Sequence, residues 1–419
     1  MSDTSLYSRL FRQWWAAMAA GLIVGFPTGV AAAGEWLGFR GGDGSGVATD
    51  TVVRRTWSEA EGIAWKVDLP GRSVSSPIVV GDLVIATTSS GPKQDQLHIV
   101  AVDRESGVIR WDRVFQATGR TLCHPTSAVA ACTPASDGDR IVAFYSSCDL
   151  FCLDLEGRLL WQRNLAVEHP RAGNDVGMGS SPRIIDDAVF VQVDCQGDAF
   201  GSAIDLATGE DRWSVTRAKL ASWSSPLEVN VAEHGACVLM QNPRGLELRR
   251  ADDGTAVWLW EGNVGGIAMA ATAEGRVFVP SSGIAAVDPT ADTGRPLWQQ
   301  PKLSCGISSP VVFGDSVATL NNGGVLAVAD RADGSLRKQV RLAGTFWASP
   351  IVVGDTIVAV NMEGTTFVVD AGGSYEILAE NDLPGSFPST PAAADGSLYL
   401  QSETALWKTA APVTPAAQL

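Results

Sequence analysis

Apolar residues in this chain come in short runs of strand length, and the same short phrase introduces almost every run. The phrase is two small residues, usually hydroxyl-bearing, followed by proline, and a Gly-Asp or Asp-Gly turn usually follows the apolar run. Its seven copies are Ser75-Ser76-Pro77, Cys132-Thr133-Pro134, Ser180-Ser181-Pro182, Ser224-Ser225-Pro226, Ser308-Ser309-Pro310, Ala348-Ser349-Pro350 and Ser389-Thr390-Pro391. A degenerate eighth copy lies near Met269 and lacks the proline. This recurrence predicts a repeat protein.

The length of the repeat indicates the kind of unit. A period of about 40 to 45 residues is that of one four-stranded propeller blade, whereas paired-helix repeats would show apolar residues at helical spacing. Eight units therefore predict an all-β, eight-bladed β-propeller of four-stranded antiparallel blades. Seven blades would result if the degenerate fifth unit were distorted or if the last unit packed outside the ring, but the strand-like stretches 276–279 and 284–288 of the fifth unit favour eight.

The second half of each unit is a strand ending in Asp, a Gly turn and a strand that carries a tryptophan. The tryptophans are Trp65, Trp111, Trp161, Trp213, Trp258 and Trp298. Glycines fall where a hairpin needs positive φ; they are Gly107, Gly157, Gly209, Gly254, Gly294 and Gly334. A flat indole at a fixed point of each outer strand can fill the space between twisted sheets, so these tryptophans are predicted to dock one blade on the next.

Closure of the ring is also predicted. The last repeat supplies only three strands, at 391–394, 397–401 and 404–408, whereas residues 63–69 near the start resemble the Trp-bearing final strand of a unit. We expect this N-terminal strand to complete the eighth blade beside Leu406, which would leave no sheet edge open.

Residues 1–33 do not follow the repeat pattern. They hold two arginines, an apolar run at 14–30 and three alanines, which predicts a signal peptide cleaved near Ala33 and a periplasmic or secreted protein. An uncleaved membrane anchor is the alternative, because the apolar run approaches spanning length. Residues 34–60 would then form an N-terminal extension, 61–410 the propeller and 411–419 a C-terminal tail.

Composition narrows the possible partners. The net charge is −15, which argues against nucleic acid and anionic lipid as ligands, and the chain is expected to be a monomer.

Seven cysteines leave at least one unpaired in an exported chain. Cys148 could pair with Cys152 and Cys123 with Cys132, or all could be small buried side chains. No metal site is predicted, since no second Cys or His pair stands at ligand spacing.

The Ala-x-Asp-x-x-x-Gly-x-x-x-Trp ending, clearest at 101–111 and 203–213, resembles the pyrroloquinoline quinone (PQQ) repeat over roughly residues 57–408. The resemblance implies one of two classes. Quinoprotein dehydrogenases carry PQQ and calcium in the central funnel beneath a pair of adjacent cysteines, whereas BamB-like propellers are exported and non-enzymatic. No two cysteines are adjacent here, so neither PQQ nor calcium is predicted.

The resemblance therefore favours an exported, non-catalytic module that binds or scaffolds an unidentified protein partner in the periplasm. A quinoprotein-type dehydrogenase or a carbohydrate-active enzyme, with its site at the channel mouth, is the alternative. The four histidines, His98, His124, His169 and His234, lie in different repeats, and no triad or metal motif can be assembled from the sequence.

Loops that lead into the innermost strands should gather around one mouth of the central channel. They present a candidate ligand set of Arg72, His124, Asn174, Asp175, Trp223, Phe346, Trp347 and Phe387. These residues could bind a flat or sugar-like molecule, or the aromatics could plug the channel or pack between blades. The serines of the repeated phrase are expected to satisfy backbone groups near the axis and not to act as nucleophiles.

Overall fold

A computed structural model describes residues 34–49, 51–291 and 295–412. The predicted signal peptide, Gly294 and residues 413–419 of the tail lie outside the described residues. Within the described ranges the secondary structure is almost entirely β, with one short helix, α1 (Leu165–Glu168). No helix in this part of the chain has the length and apolarity to cross a membrane.

Two strands, β1 (Val47–Ala48) and β2 (Ile63–Asp68), precede the first repeat. Blade 1 consists of β3 (Ile78–Val80), β4 (Leu83–Ser90), β5 (Gln96–Asp103) and β6 (Ile109–Gln116). Blade 2 consists of β7 (Ala135–Ser136), β8 (Arg140–Phe144), β9 (Asp149–Asp154) and β10 (Leu159–Asn164). Blade 3 consists of β11 (Arg183–Ile185), β12 (Ala188–Val193), β13 (Phe200–Asp205) and β14 (Asp211–Thr216). Blade 4 consists of β15 (Leu227–Val231), β16 (Gly235–Asn242), β17 (Gly245–Arg250) and β18 (Ala256–Glu261).

The second half of the chain continues the series. Blade 5 consists of β19 (Ala271–Ala273), β20 (Arg276–Ser281), β21 (Gly283–Val287) and β22 (Trp298–Gln300). Blade 6 consists of β23 (Val311–Phe313), β24 (Ser316–Leu320), β25 (Val325–Asp330) and β26 (Leu336–Arg341). Blade 7 consists of β27 (Ile351–Val353), β28 (Thr356–Val360), β29 (Thr365–Asp370) and β30 (Ile377–Asp382). Blade 8 combines β31 (Ala392–Ala394), β32 (Ser397–Gln401) and β33 (Ala405–Thr409) with β2.

These eight antiparallel sheets confirm the predicted eight-bladed propeller. The innermost strands contact each other in six of the eight pairs of neighbouring blades, and one of these contacts joins β3 to β31, so the first and last blades are neighbours. Neighbouring blades cover both faces of the second strands, which is why a strand such as β12 is buried along its whole length. Outermost strands such as β14 alternate between exposed and half-buried positions.

The predicted closure of the ring is confirmed as well. Strand β2 pairs antiparallel with β33, and Val67 lies opposite Leu406. The backbone N–H of Leu69 donates to the carbonyl of Thr404 at 2.8 Å, which extends the pairing beyond the strand. Blade 8 is therefore built from both ends of the chain.

Five of the six repeat tryptophans donate a hydrogen bond from Nε1 to a carbonyl of the next blade. The pairs are Trp65 to Arg104 at 3.1 Å, Trp111 to Leu155 at 2.9 Å, Trp161 to Leu206 at 2.9 Å, Trp213 to Ala251 at 2.9 Å and Trp298 to Arg331 at 3.1 Å. Trp258 is half-buried, and the hairpin of the blade that follows it includes residues 292–294, which are not described. The hydrogen bonds and the ring packing tie each blade to its neighbour.

Substituting a hairpin glycine that lies under one of these indoles tests the contact. A Cβ at Gly209 would come within 2.8 Å of the Trp161 ring, whereas a Cβ at Gly235 meets no atom within 4 Å, and both residues have similar positive φ (+77° and +70°). We expect Gly209→Ala to lower the free energy of unfolding by about 1–3 kcal/mol more than Gly235→Ala, since only the first adds overpacking to backbone strain. Denaturant melts of both variants measure the difference, and equal losses would contradict this role of Trp161.

The N-terminal extension has a structural role that the sequence did not predict. Residues 36–48, here called the floor segment, cross the channel along the innermost strands. Trp36 exchanges backbone hydrogen bonds of 2.9 Å with Val79 of blade 1, and β1 pairs in parallel with β27 of blade 7. Arg183 of blade 3 donates to the carbonyls of Phe39, Gly41 and Gly42. These partners lie beyond the repeated Ser-Ser-Pro phrase, so the segment closes the channel at the end away from the mouth.

All seven cysteines are free thiols, and neither of the two disulfides considered from the sequence is formed. Six of them are buried, and Cys123 is half-buried. Burial raises the pKa of Cys148 and of Cys152 to about 12, so both thiols stay protonated at neutral pH. In this structure the cysteines act as small packing side chains.

Candidate functional site

A cavity of about 530 Å³ occupies the mouth of the central channel. Its walls come from the loops and first residues of the innermost strands, and Phe39 of the floor segment contributes to its far end. Val176 and Ile267 stand at its rim, with 41% and 46% of their surface exposed. The cavity is therefore a funnel that opens toward solvent at this rim and has the floor segment at its other end.

The repeated hydroxyl residues form a ring of hydrogen bonds around this cavity. In six blade pairs, the backbone N–H of one blade donates to the side-chain oxygen of the next blade at 2.9–3.1 Å. The acceptors are Thr133, Ser181, Ser225, Ser309, Ser349 and Thr390. Blade 5 has Met269 at this position and offers no hydroxyl. The prediction that these residues satisfy backbone groups near the axis is confirmed.

Three of the eight candidate ligand residues line the cavity: His124, Trp223 and Trp347. Trp223 donates from Nε1 to the carbonyl of Gly177 at 2.8 Å, which fixes its ring against the wall. His124 is exposed, and its Nδ1 lies 2.7 Å from the hydroxyl of Thr126. The structure therefore brings two indoles and one imidazole together at the mouth.

The three other polar candidates are engaged at the mouth but do not line the cavity. Arg72 forms an ion pair with Glu403 at 3.0 Å, and Asp175 pairs with Arg120 at 2.7 Å. Asn174 donates from Nδ2 to the carbonyl of Asp194 at 3.1 Å. Their contacts join neighbouring loops to one another.

The placement of Phe346 and Phe387 corrects the expectation from sequence. Both rings are buried in the core between blades, with 0% and 1% of their surface exposed. Phe346 packs against Phe367 at a ring-centroid distance of 6.0 Å. The alternative in which the mouth aromatics pack between blades holds for these two residues and not for Trp223 or Trp347.

Sequence reasoning missed Phe39, Ile267 and Asn322, all of which line the cavity. Phe39 lies in the N-terminal extension, which has no repeat pattern that could indicate how deep in the channel its side chain lies. Asn322 lies in the turn after the second strand of blade 6, so a search of the loops before the innermost strands could not find it. Comparison of equivalent turns, such as 321–324 with 361–364, would have singled out this amide.

The cavity does not fit the metal centre of a quinoprotein. None of the described residues that line it is Asp, Glu, Lys or Arg, and His124 is its one histidine. Calcium takes several oxygen ligands, carboxylates prominent among them, and this donor set is missing. In the described part of the chain no three His, Cys, Asp or Glu residues are grouped as metal ligands would be.

The structure does assemble a serine, a histidine and an aspartate on one face of blade 1. His98 Nδ1 lies 3.0 Å from a carboxylate oxygen of Asp112, and its Nε2 lies 2.8 Å from Ser90 Oγ. These distances match a nucleophile, a base and an orienting acid. However, Ser90 Oγ also donates to Gln96 Oε1 at 2.9 Å, so its proton has a second acceptor. None of these three residues lines the central cavity.

Comparison with known proteins identifies relatives of this chain. The family model for outer membrane protein assembly factor BamB matches residues 13–258 and 197–411. Outer membrane protein assembly factor BamB from Yersinia pestis is 24% identical over 275 residues, which are 61% of this chain and 61% of that protein. The match thus spans less than two thirds of that relative's length.

Solved structures show the same fold at low sequence identity. BamB from Moraxella catarrhalis superposes with a TM-score of 0.62 at 15% identity, covering 84% of this chain and 98% of that one. A europium-containing methanol dehydrogenase superposes with a TM-score of 0.64 at 13% identity, covering 88% and 90%. At such identities the two superpositions establish the propeller fold, and the dehydrogenase and the assembly factor share it equally.

Proposed function

This chain belongs to the family described as outer membrane protein assembly factor BamB, and from that membership we propose that it is a non-catalytic propeller that binds a protein partner outside the cytoplasm. The observation that carries the proposal is the wall of the central cavity. The resemblance to quinoprotein dehydrogenases implies a metal-bound quinone in this funnel, and here the described lining has no carboxylate to hold the metal.

The surface offers two places for a protein partner. One is the rim of the funnel, where Val176 and Ile267 are exposed. The other is the outer edge of blade 4, where Leu259 on strand β18 is 65% exposed. Apolar side chains at such positions gain from being covered by another protein.

Export of the chain is part of the proposal. Cleavage near Ala33 would release the propeller with the floor segment close to its new N-terminus, because this segment begins at Trp36. The strongly acidic composition favours solubility in an aqueous compartment. The name of the Yersinia pestis relative refers to the assembly of outer membrane proteins, and we propose a related role in holding another protein for this chain.

Site-specific photocrosslinking in the living host tests the proposal. A photoreactive phenylalanine analogue would replace Ile267 at the rim, Leu259 at the blade edge or, as a control, Val52. Val52 is 58% exposed and lies near Gly354 at the far end of the ring. We expect a discrete protein adduct in the periplasmic fraction at Ile267 or Leu259 and none at Val52. Equal labelling at all three positions, or no adduct at any, would count against a specific partner.

Two alternative enzymatic functions would give results in vitro that differ from those of a non-catalytic protein. A quinoprotein would reduce a dye with an alcohol or a sugar after reconstitution with PQQ and calcium. A hydrolase built on Ser90, His98 and Asp112 would react with a fluorophosphonate at Ser90, and His98→Gln would abolish the reaction. We expect neither, and either result would replace the proposed function with an enzymatic one.

A further inference from the structure

Several polar groups that face the central cavity accept one hydrogen bond within the protein and keep a donor available to a ligand. The six acceptor hydroxyls of the ring each accept a backbone N–H, which leaves their O–H free to donate. Asn322 Oδ1 accepts the N–H of Ile307 at 3.0 Å, which leaves its Nδ2 as a donor. His124 Nδ1 accepts the N–H of Thr126 at 3.3 Å, so Nε2 carries the proton of the neutral ring.

The floor segment beneath the cavity holds positive charge that no carboxylate of the described residues neutralises by direct contact. None of its described lining residues is acidic. Two fully buried arginines, Arg40 and Arg183, hold the floor segment, and no salt bridge joins either of them to a carboxylate among the described residues. Burial lowers the pKa of Arg40 to about 10, which keeps its guanidinium charged at neutral pH, while Asp43 acts on both arginines only from a distance.

The walls also provide apolar area. The half-buried indoles of Trp223 and Trp347 and the exposed side chain of Ile267 line the funnel, and Phe39 faces it from the floor. A volume of about 530 Å³ lies within the range of small-molecule sites. A ligand that fits this cavity would have a flat or aliphatic body and, at one end, a hydrogen-bond acceptor.

We propose that the central cavity binds a carboxylate carried on an apolar, preferably aromatic, body. The carboxylate oxygens would accept from the ring hydroxyls and from Asn322 Nδ2, and the body would pack against Trp223 and Trp347. This chemistry occurs in free aromatic acids and in the C-terminal residue of a polypeptide. The inference goes beyond the proposed function and stands or falls independently of it.

Calorimetric titration of the purified protein with matched probe pairs tests this assignment. The first pair is 3-phenylpropanoate and its neutral amide, and the second is acetyl-Gly-Ala-Phe with a free or an amidated C-terminus. We expect the acid of at least one pair to bind about ten-fold or more tightly than its amide, because only the acid gains charge-assisted hydrogen bonds. Preference within the peptide pair alone assigns a polypeptide end as the source, and preference in the first pair assigns a free acid.

Two neighbouring asparagines provide the variant and its control. Asn322→Asp keeps the oxygen that accepts from Ile307 but replaces the donor in the cavity with a negative charge. Asn321→Asp adds the same charge one residue away, where Oδ1 accepts from Gly323 and Val325 and does not line the cavity. We expect Asn322→Asp to weaken acid binding at least about ten-fold through like-charge repulsion, with Asn321→Asp close to wild type.

Thermal melting of both variants shows whether the ring remains folded. The proposal is overturned if acid and amide bind equally in both pairs, or if Asn322→Asp, still folded, binds the acid as tightly as Asn321→Asp does. Because the probes are small and defined, these outcomes do not depend on whether a protein partner exists.

Discussion

Deletion of residues 61–69 is expected to prevent the chain from folding into a stable ring. The deletion removes β2, the fourth strand of blade 8, and exposes the edge of β33 and the apolar face that Trp65 covers. Losing a buried aromatic side chain alone costs about 3–5 kcal/mol. A typical domain is stable by only about 5–15 kcal/mol, so the loss of Trp65 together with a whole strand ladder removes most of that margin.

Circular dichroism, thermal melting and size-exclusion chromatography of the deletion variant measure this result. Removal of residues 413–419, from the other end of the chain, serves as a control for shortening the chain by a comparable length. A deletion variant of 61–69 that stays monomeric and melts cooperatively near the wild-type temperature would show that three strands suffice for blade 8.

Arg217→Met is expected to destabilise the ring by about 3–5 kcal/mol, because it leaves a buried carboxylate without its counter-charge. Arg217 bonds Asp194 at 2.8 Å and Glu247 at 2.7 Å, and the side chains of Arg217 and Asp194 are 1% and 0% exposed. Asp194 has one further side-chain donor, Gln192 at 2.6 Å, which carries no charge. Urea-induced unfolding at neutral pH measures the loss.

The loss should become smaller as the solution is acidified. Burial raises the pKa of Asp194 even with Arg217 present, so the folded state holds this proton more tightly than the unfolded state does. Folding stability from this group is then highest below the unfolded pKa of about 3.9 and declines as pH rises through the folded pKa. Without Arg217 the folded pKa rises further, and the variant should recover part of its stability between about pH 7 and pH 4.

Two controls separate charge burial from other effects. Adding Asp194→Asn to Arg217→Met should restore much of the lost stability, since no buried charge then remains unpaired. Arg158→Met breaks the ion pair with Asp154, in which the arginine side chain is 72% exposed and the aspartate 15%, and should change the melt little. If Arg217→Met lowers the free energy of unfolding by less than about 1 kcal/mol, or by an amount that does not depend on pH, an unpaired buried carboxylate is not the cause of the loss.

The fold could be predicted because each of its determinants is local and repeated. A proline phrase marks each innermost strand except that of the fifth blade, and the strand at 63–69 matches the final strand of a unit closely enough to identify its place in blade 8. The hydroxyl ring also follows from the repeat, because identical residues at identical positions must meet around the axis.

The candidate site could be predicted only in part, because the repeat pattern does not show whether a side chain faces the channel or lies between blades. Trp347 and Phe346 are adjacent in the sequence, yet one lines the funnel and the other lies in the core between blades. The repeat pattern does not predict the positions of Phe39 and the floor segment, since these depend on contacts with distant strands. Ser90, His98 and Asp112 meet only through cross-strand register, which spacing along the chain does not reveal.

The floor segment has a consequence for the order in which the molecule assembles. Val47 is synthesised before any blade, but its pairing partner Val352 belongs to the seventh, some 300 residues later. Loop-closure entropy opposes such a pairing until the intervening blades have formed, so this end of the floor segment must dock late, whereas Trp36 at its other end can pair with Val79 once blade 1 has formed. Strand β1 is therefore among the first parts of the ring to be synthesised and among the last to pair. The rate at which it pairs with β27 should limit how fast the native protein accumulates.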